Sequence, residues 1–100
     1  MSLIELKLIT IVSERLLKNQ IIKKIQECGA KGYTMVEATG EGSRGIRASE
    51  FEGRNIKFEV IASNEVANKI FQVISAEYFE NFAVIVYSQN VEVVRGDKYI

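Results

Sequence analysis

The chain has 100 residues, 47% of them apolar and 26% charged, enough for one compact domain and too few for two or for a repeat array. Thirteen basic residues balance thirteen acidic ones and the pI is about 6.3, so no broad attraction to nucleic acid or an anionic membrane is expected and any anion site must be local. Histidine is absent, which removes the commonest general base and the commonest zinc ligand, and the lone Cys28 cannot form an intramolecular disulfide. A reducing cytoplasm is therefore the expected compartment. No apolar run approaches the roughly 20 residues that cross a bilayer, and the first residues lack the basic-then-apolar pattern of a secretion signal.

In chain order, residues 3–12 predict a strand with Leu6, Leu8 and Val12 on one face and Ile9 and Ile11 on the other. Ser13 is the expected N-cap of a helix to Glu27, because Leu17, Ile21 and Ile25 recur every four residues while Lys18, Lys23 and Lys24 mostly face away. Gly29 supplies the stop. Residues 33–38 are rich in β-formers and predict a second strand. Residues 55–62 predict a third, Ile56, Phe58 and Val60 alternating with Lys57 and Glu59. Asn64 is the expected cap of a second helix that buries Val66, Ala67, Ile70, Phe71 and Ile74. Residues 82–87, nearly all apolar, suit a central strand buried on both sides, and Val91, Val93 and Val94 either continue it or begin a short fifth strand.

The order β-α-β-β-α-β predicts an α+β, ferredoxin-like antiparallel sheet with both helices on one face, spanning residues 1–100 as one domain. Helices on one face cover only one set of alternating side chains, yet the first and last strands are apolar on both sides. The uncovered face is therefore expected to pack against copies of the same chain.

The candidate chemistry lies between the second and third strands. Gly40, Gly42, Gly45 and Gly53 make residues 39–54 unlike the rest of the chain, and a connection of this length in a small domain is usually functional or disordered. Gly40 and Gly42 let backbone amides approach a ligand, Ser43 adds a hydroxyl, and Arg44 and Arg47 add two guanidinium forks suited to phosphate oxygens. The Gly-Lys-Ser/Thr of a P-loop is missing, so this pattern fits either a local anion cradle or a mobile surface loop. Phe51, later in the same segment, is an aromatic that either anchors a partner protein or is an ordinary exposed residue.

The runs Gly29-Ala30-Lys31-Gly32-Tyr33-Thr34-Met35-Val36, Gly42-Ser43-Arg44-Gly45-Ile46-Arg47 and Ile56-Lys57-Phe58-Glu59-Val60 together resemble the PII-like signalling proteins of the SbtB type, which accompany bicarbonate transporters. Residues 8–14 and 91–96 are also similar, so the likeness spans nearly the whole chain. The resemblance implies a PII-like homotrimer that holds an adenine nucleotide (AMP, cyclic AMP, ADP or ATP) in the clefts between subunits. It implies a T-loop at about residues 40–54 that changes shape with the ligand and contacts a partner, in that family a membrane transporter. On this reading Gly40, Gly42, Ser43, Arg44 and Arg47 meet ribose and phosphate oxygens. Phe58, Glu59, Val60, Val86, Tyr87 and Ser88 line the adenine pocket, partly through backbone groups.

The chain departs from that pattern at Glu41, where those proteins usually carry lysine; a carboxylate there repels phosphate and disfavours triphosphates. The T-loop is also shorter than theirs, and their C-terminal extension with its cysteine pair, and so a redox switch, is not expected here. Arg95 and Lys98 either reach a phosphate on a neighbouring subunit or belong to a solvated tail. Cys28 reads as a small buried hydrophobe. No catalysis is expected, since no histidine is present and no motif places Glu41, Glu50 or Glu59 as a base, and no metal cluster stands out. The alternatives are a small phosphohydrolase using Arg44 and Arg47 on the same fold, and a structural trimer without ligand.

Overall fold

Alternating Ile, Leu and Val from the N-terminus build β1, Leu3–Glu14, in the computed structural model, which describes residues 2–40 and 54–100. The strand runs two residues past the expected stop because β3, Asn55–Ala62, pairs with it as far as Glu14↔Asn55. Ser13 is therefore a buried strand residue rather than a helix cap, and its hydroxyl donates to the carbonyl oxygen of Glu14. A 3-10 turn at Arg15–Leu17 leads into α1, Lys18–Glu27, whose N-cap Leu17 offers no side-chain hydrogen bond. Gly29 ends the turn after it at φ +105°, a conformation that favours glycine.

The remaining elements are β2 (Thr34–Ala38), α2 (Asn64–Tyr78), β4 (Ile85–Val94) and a C-terminal 3-10 turn at Gly96–Tyr99. The cap of α2 is Ser63, one residue before the expected Asn64: its Oγ accepts from the Val66 N–H at 3.2 Å. Val91, Val93 and Val94 belong to β4 itself, which pairs with β1 without a break from Val12↔Ile85 to Leu3↔Val94.

The sheet is antiparallel with order β2-β3-β1-β4, the ferredoxin-like arrangement predicted from the element order. β4 is thus an edge strand, not a central one, and its residues alternate between exposed and half-buried along most of its length. One sheet face, with Ile9, Ile11, Ile56, Phe58, Val60 and Ala62, packs under Leu17, Ile21 and Ile25 on one side and Ala67, Ile70, Ile74 and Tyr78 on the other. Each fully buried Leu, Ile, Val or Phe side chain among these contributes about 1.5–3 kcal/mol of transfer free energy, so this layer holds the helices down. The helices are tied at their surface by Lys24 to Glu77 (3.0 Å) and by the Tyr78 hydroxyl donating to Gln20 (3.3 Å).

Among the described residues no helix packs on the opposite face. Val36, Ile85 and Tyr87 on it are exposed at 52%, 56% and 46%, as the apolar patterning of both strand faces required. Its far end is covered by the C-terminal turn, where Gly96 lies against Ile4 and Leu6.

Candidate functional site

Strand register lays the open face out in rows. Thr34, Glu59, Thr10 and Tyr87 sit side by side across β2, β3, β1 and β4, and Val36, Lys57, Val12 and Ile85 form the next row. Lys57 and Glu59, two apart on β3, face each other at 3.8 Å. Thr10 is buried although no helix among the described residues covers it, and it sits between its row neighbours Glu59 and Tyr87.

A cavity of about 390 Å³ opens at the edge of this face, lined by Leu8, Lys31, Gly32, Tyr33, Thr34, Glu59, Ile61, Lys98 and Tyr99. Its floor is apolar, from Leu8 and Ile61, and the Tyr33 ring stands edge-on to the core residue Phe58, with centroids 6.4 Å apart and planes at 63°. Its polar side chains are one carboxylate, Glu59, the hydroxyl-bearing Tyr33, Thr34 and Tyr99, and two ammonium groups, Lys31 from the α1–β2 connection and Lys98 from the C-terminal turn. That set suits a ligand with a flat apolar part, a hydrogen-bond donor and an anionic end. Gly32 lines the same cavity, and a Cβ there would meet nothing within 4 Å.

A second cavity of about 320 Å³ lies at the start of α2, between Glu5, Leu6, Lys7, Ser63, Asn64 and Asn90. Its Ser63 hydroxyl is already spent on capping the helix, and it offers no flat apolar surface. The 390 Å³ cavity is the better candidate because it combines apolar floor and charge.

At the other end of the sheet, Ala38 of β2 and Asn55 of β3 pair, and Gly40 and Arg54 flank residues 41–53. Glu37 holds the pair of strands there, with Arg54 Nη1 at 3.0 Å and Arg15 Nη1 at 3.8 Å. These groups are exposed, so each pair contributes little by itself.

The residues expected at the nucleotide site divide accordingly. Gly42, Ser43, Arg44 and Arg47, with Glu41, lie outside the described residues; Gly40 is exposed at the neck. Phe58 and Val60 are turned to the helix side and fully buried, so their side chains form core and do not line the open cleft. Their backbones pair with β1, and that of Phe58 also with Met35 of β2, which leaves an interior strand few free groups. Val86 and Ser88 also fall on the helix side, opposite Ile11 and Ile9. Glu59 and Tyr87 stand on the open face in one row, and of the two only Glu59 reaches the cavity. Lys98 lines the cavity of its own subunit, whereas Arg95, in the left-handed region at φ 66°, is exposed.

The cavity residues absent from the sequence-based set are Leu8, Lys31, Gly32, Tyr33, Thr34, Ile61 and Tyr99. Alternation carried a signal for some: Ile61 shares a face with Glu59, and Thr34 becomes their neighbour once β2 is paired. Among the described residues no cluster of metal-ligating side chains occurs, and no helix is long and apolar enough to cross a membrane.

The model of the nitrogen regulatory protein P-II family matches residues 6–98. A PII-like signaling protein from Thermus thermophilus is 53% identical, with all of both chains covered and a TM-score of 0.88. CPII from Thiomonas intermedia, solved with ADP, AMP and acetate, is 24% identical over 99% of this chain and 98% of its own, with a TM-score of 0.85. The Bacillus subtilis GlnK–ATP complex shares the fold more distantly, at 12% identity over 85% of this chain and 84% of its own and a TM-score of 0.57. Sequence and fold agree over nearly the whole length, and the chain belongs to the P-II family as a PII-like signalling protein.

Proposed function

We propose that this chain is a sensor that binds an adenine nucleotide between copies of itself and signals occupancy through residues 40–54. The observation that carries the reading is the open-face cavity, where Glu59, Lys31 and Lys98 surround an apolar floor beside a sheet face left uncovered. An adenine ring fits the Leu8–Ile61 floor, its amino group donates to the Glu59 carboxylate, and Lys31 and Lys98 attract phosphate. CPII was solved with ADP, AMP and bicarbonate and GlnK with ATP, which supports this ligand class. A second copy packed on Val36, Ile85 and Tyr87 buries the apolar face and completes the cleft, in a homotrimer of the kind the resemblance implies.

The mechanism is a population shift: nucleotide stabilises one arrangement of the loop through contacts that the other lacks, and a partner reads that arrangement. Arg44 and Arg47 are the phosphate clamps in this scheme, with Gly40, Gly42 and Ser43 beside them. The closer affinity is to the SbtB type, which makes inorganic carbon the signal and a bicarbonate transporter the partner, with the protein in the cytoplasm. No catalytic role is proposed, because no histidine is present and Glu59 faces Lys57 rather than a nucleophile.

Titration calorimetry against AMP, cyclic AMP, ADP and ATP, with and without bicarbonate, tests the reading. Binding is expected with ATP the weakest, because of Glu41, and lost by at least tenfold in Glu59→Ala and in Arg44→Ala. No heat with any of the four at millimolar concentration refutes it. Phosphate release that disappears in Glu41→Gln would favour a phosphohydrolase instead.

A further inference from the structure

Glu14 ends β1 and is only 3% exposed, one of three buried polar or charged residues of the described chain. Its Oε2 accepts a 2.7 Å hydrogen bond from the Ala83 backbone N–H, 69 residues away in sequence, while its Oε1 is buried with no partner among the described residues. Burying a carboxylate for one bond to a neutral amide costs more than that bond returns, and apolar replacements at such places are often no less stable. Stability does not account for the residue; its position does.

Residues 79–84 connect α2 to β4, and among the described residues their other hydrogen bonds are local. Phe79 N–H donates to Ser75, Phe82 N–H to Tyr78, and Val84 N–H to Phe82 in a tight turn centred on Ala83. Glu14 thus holds the centre of the turn from which β4 departs, two residues before Ile85 pairs with Val12. Glu14 also pairs with Asn55, and Arg15 N–H donates to the Arg54 carbonyl at 3.3 Å, so the same short stretch fixes one end of the neck.

We propose that Glu14 is a positioning residue: through the Ala83 amide it ties the start of β4, and with it Tyr87, to the neck beside Arg54, so that the open face keeps one geometry for ligand and for the adjoining copy. Its bearing on affinity rests on the nucleotide reading above; the tie itself does not. Removing the carboxylate takes the acceptor from a half-buried N–H and frees the turn, whereas the amide of glutamine presents a carbonyl oxygen to the same N–H.

The test is ADP titration together with hydrogen exchange at the Ala83 amide in the full chain and in Glu14→Ala and Glu14→Gln. Glu14→Ala is expected to weaken ADP at least tenfold and to speed Ala83 exchange at least tenfold, and Glu14→Gln to stay within about threefold of the parent in both. Should Glu14→Ala not fold, Glu14→Asp, one methylene short of Ala83, takes its place with the same expectation. ADP affinity unchanged in the alanine or aspartate variant overturns the proposal, as does a glutamine variant as weak as alanine. If the parent chain itself binds no ADP, the nucleotide reading falls separately, and Ala83 exchange equal in parent and alanine variant then overturns the tie.

Discussion

Gly96→Ala tests whether the C-terminal turn is seated on the sheet as described. A Cβ added at Gly96 lies 2.9 Å from Ile4 Cβ and 3.3 Å from Leu6 Cδ1. Relaxed carbon contacts begin near 3.5 Å, so the shortfall against Ile4 is about 0.6 Å. Leu6 can turn its methyl away, but Ile4 Cβ is fixed by a backbone paired with Val93, and no rotamer moves it. The turn must lift, and overpacking of this kind costs about 1–3 kcal/mol, or at least about 4 °C in Tm for a chain this size. Lys98 and Tyr99, carried on the same turn, would leave the cavity, so ligand affinity falls with stability. Gly32→Ala is the control: its Cβ meets nothing within 4 Å, and its stability should stay within about 0.5 kcal/mol of the parent. Urea unfolding at matched protein concentration measures both, since assembly makes stability concentration-dependent. A Gly96→Ala midpoint at or above the parent's, or an equal loss in Gly32→Ala, refutes the reasoning.

Ile85→Asp places a charge on the exposed apolar face without touching the helix-side core, and light scattering should show a lighter species than the parent; an unchanged mass would leave that face without its assigned role. Gly29→Ala forces a side chain into φ +105° and should cost about 1–2 kcal/mol in urea unfolding, a loss that Gly40→Ala, with open space around its Cβ, should not share. Burial raises the Cys28 thiol and the Tyr78 phenol above their ordinary ranges, so the folded chain keeps both protons longer than the unfolded chain does. Their contribution is complete below the ordinary thiol range and is lost as pH rises through it and then through that of tyrosine; Cys28→Ala should remove the lower part of that decline, and an identical pH profile in the variant argues against it.

Much of the fold is legible from residue spacing. Leu17, Ile21 and Ile25, and Ile56, Phe58 and Val60, repeat at the helical and strand periods, and all six are buried as their spacing requires. Boundaries are less legible where a partner strand decides them: nothing local in Ser13 tells that β3 will pair beyond it, and Ser63 and Asn64 are equally good caps until the turn is made. The edge position of β4 is invisible for the same reason, since an apolar strand reads as central whether its cover comes from its own chain or from another copy. The site was half legible. Glu59 stands out by alternation, but the cavity gathers Lys31, Thr34 and Lys98 from three places, and only the sheet order and the turn at Gly96 bring them together. A resemblance carried through strand residues also does not tell which side of the sheet a side chain takes, and Phe58 and Val60 turn theirs into the helix-side core.

β1 lies in the middle of the sheet and is paired along its length by β3 and β4, neither of which begins before residue 55. During synthesis the first strand made is therefore the last to be satisfied on both edges. At about 5–20 residues per second, seconds pass between emergence of Ile9 and Ile11 and completion of Val86 and Ser88 opposite them. For that interval the nascent chain carries an apolar strand with open hydrogen-bonding edges, the kind of segment that pairs with the wrong neighbour. Yield in cells should accordingly respond to changes that slow translation ahead of residue 94, even where the finished protein is unaltered.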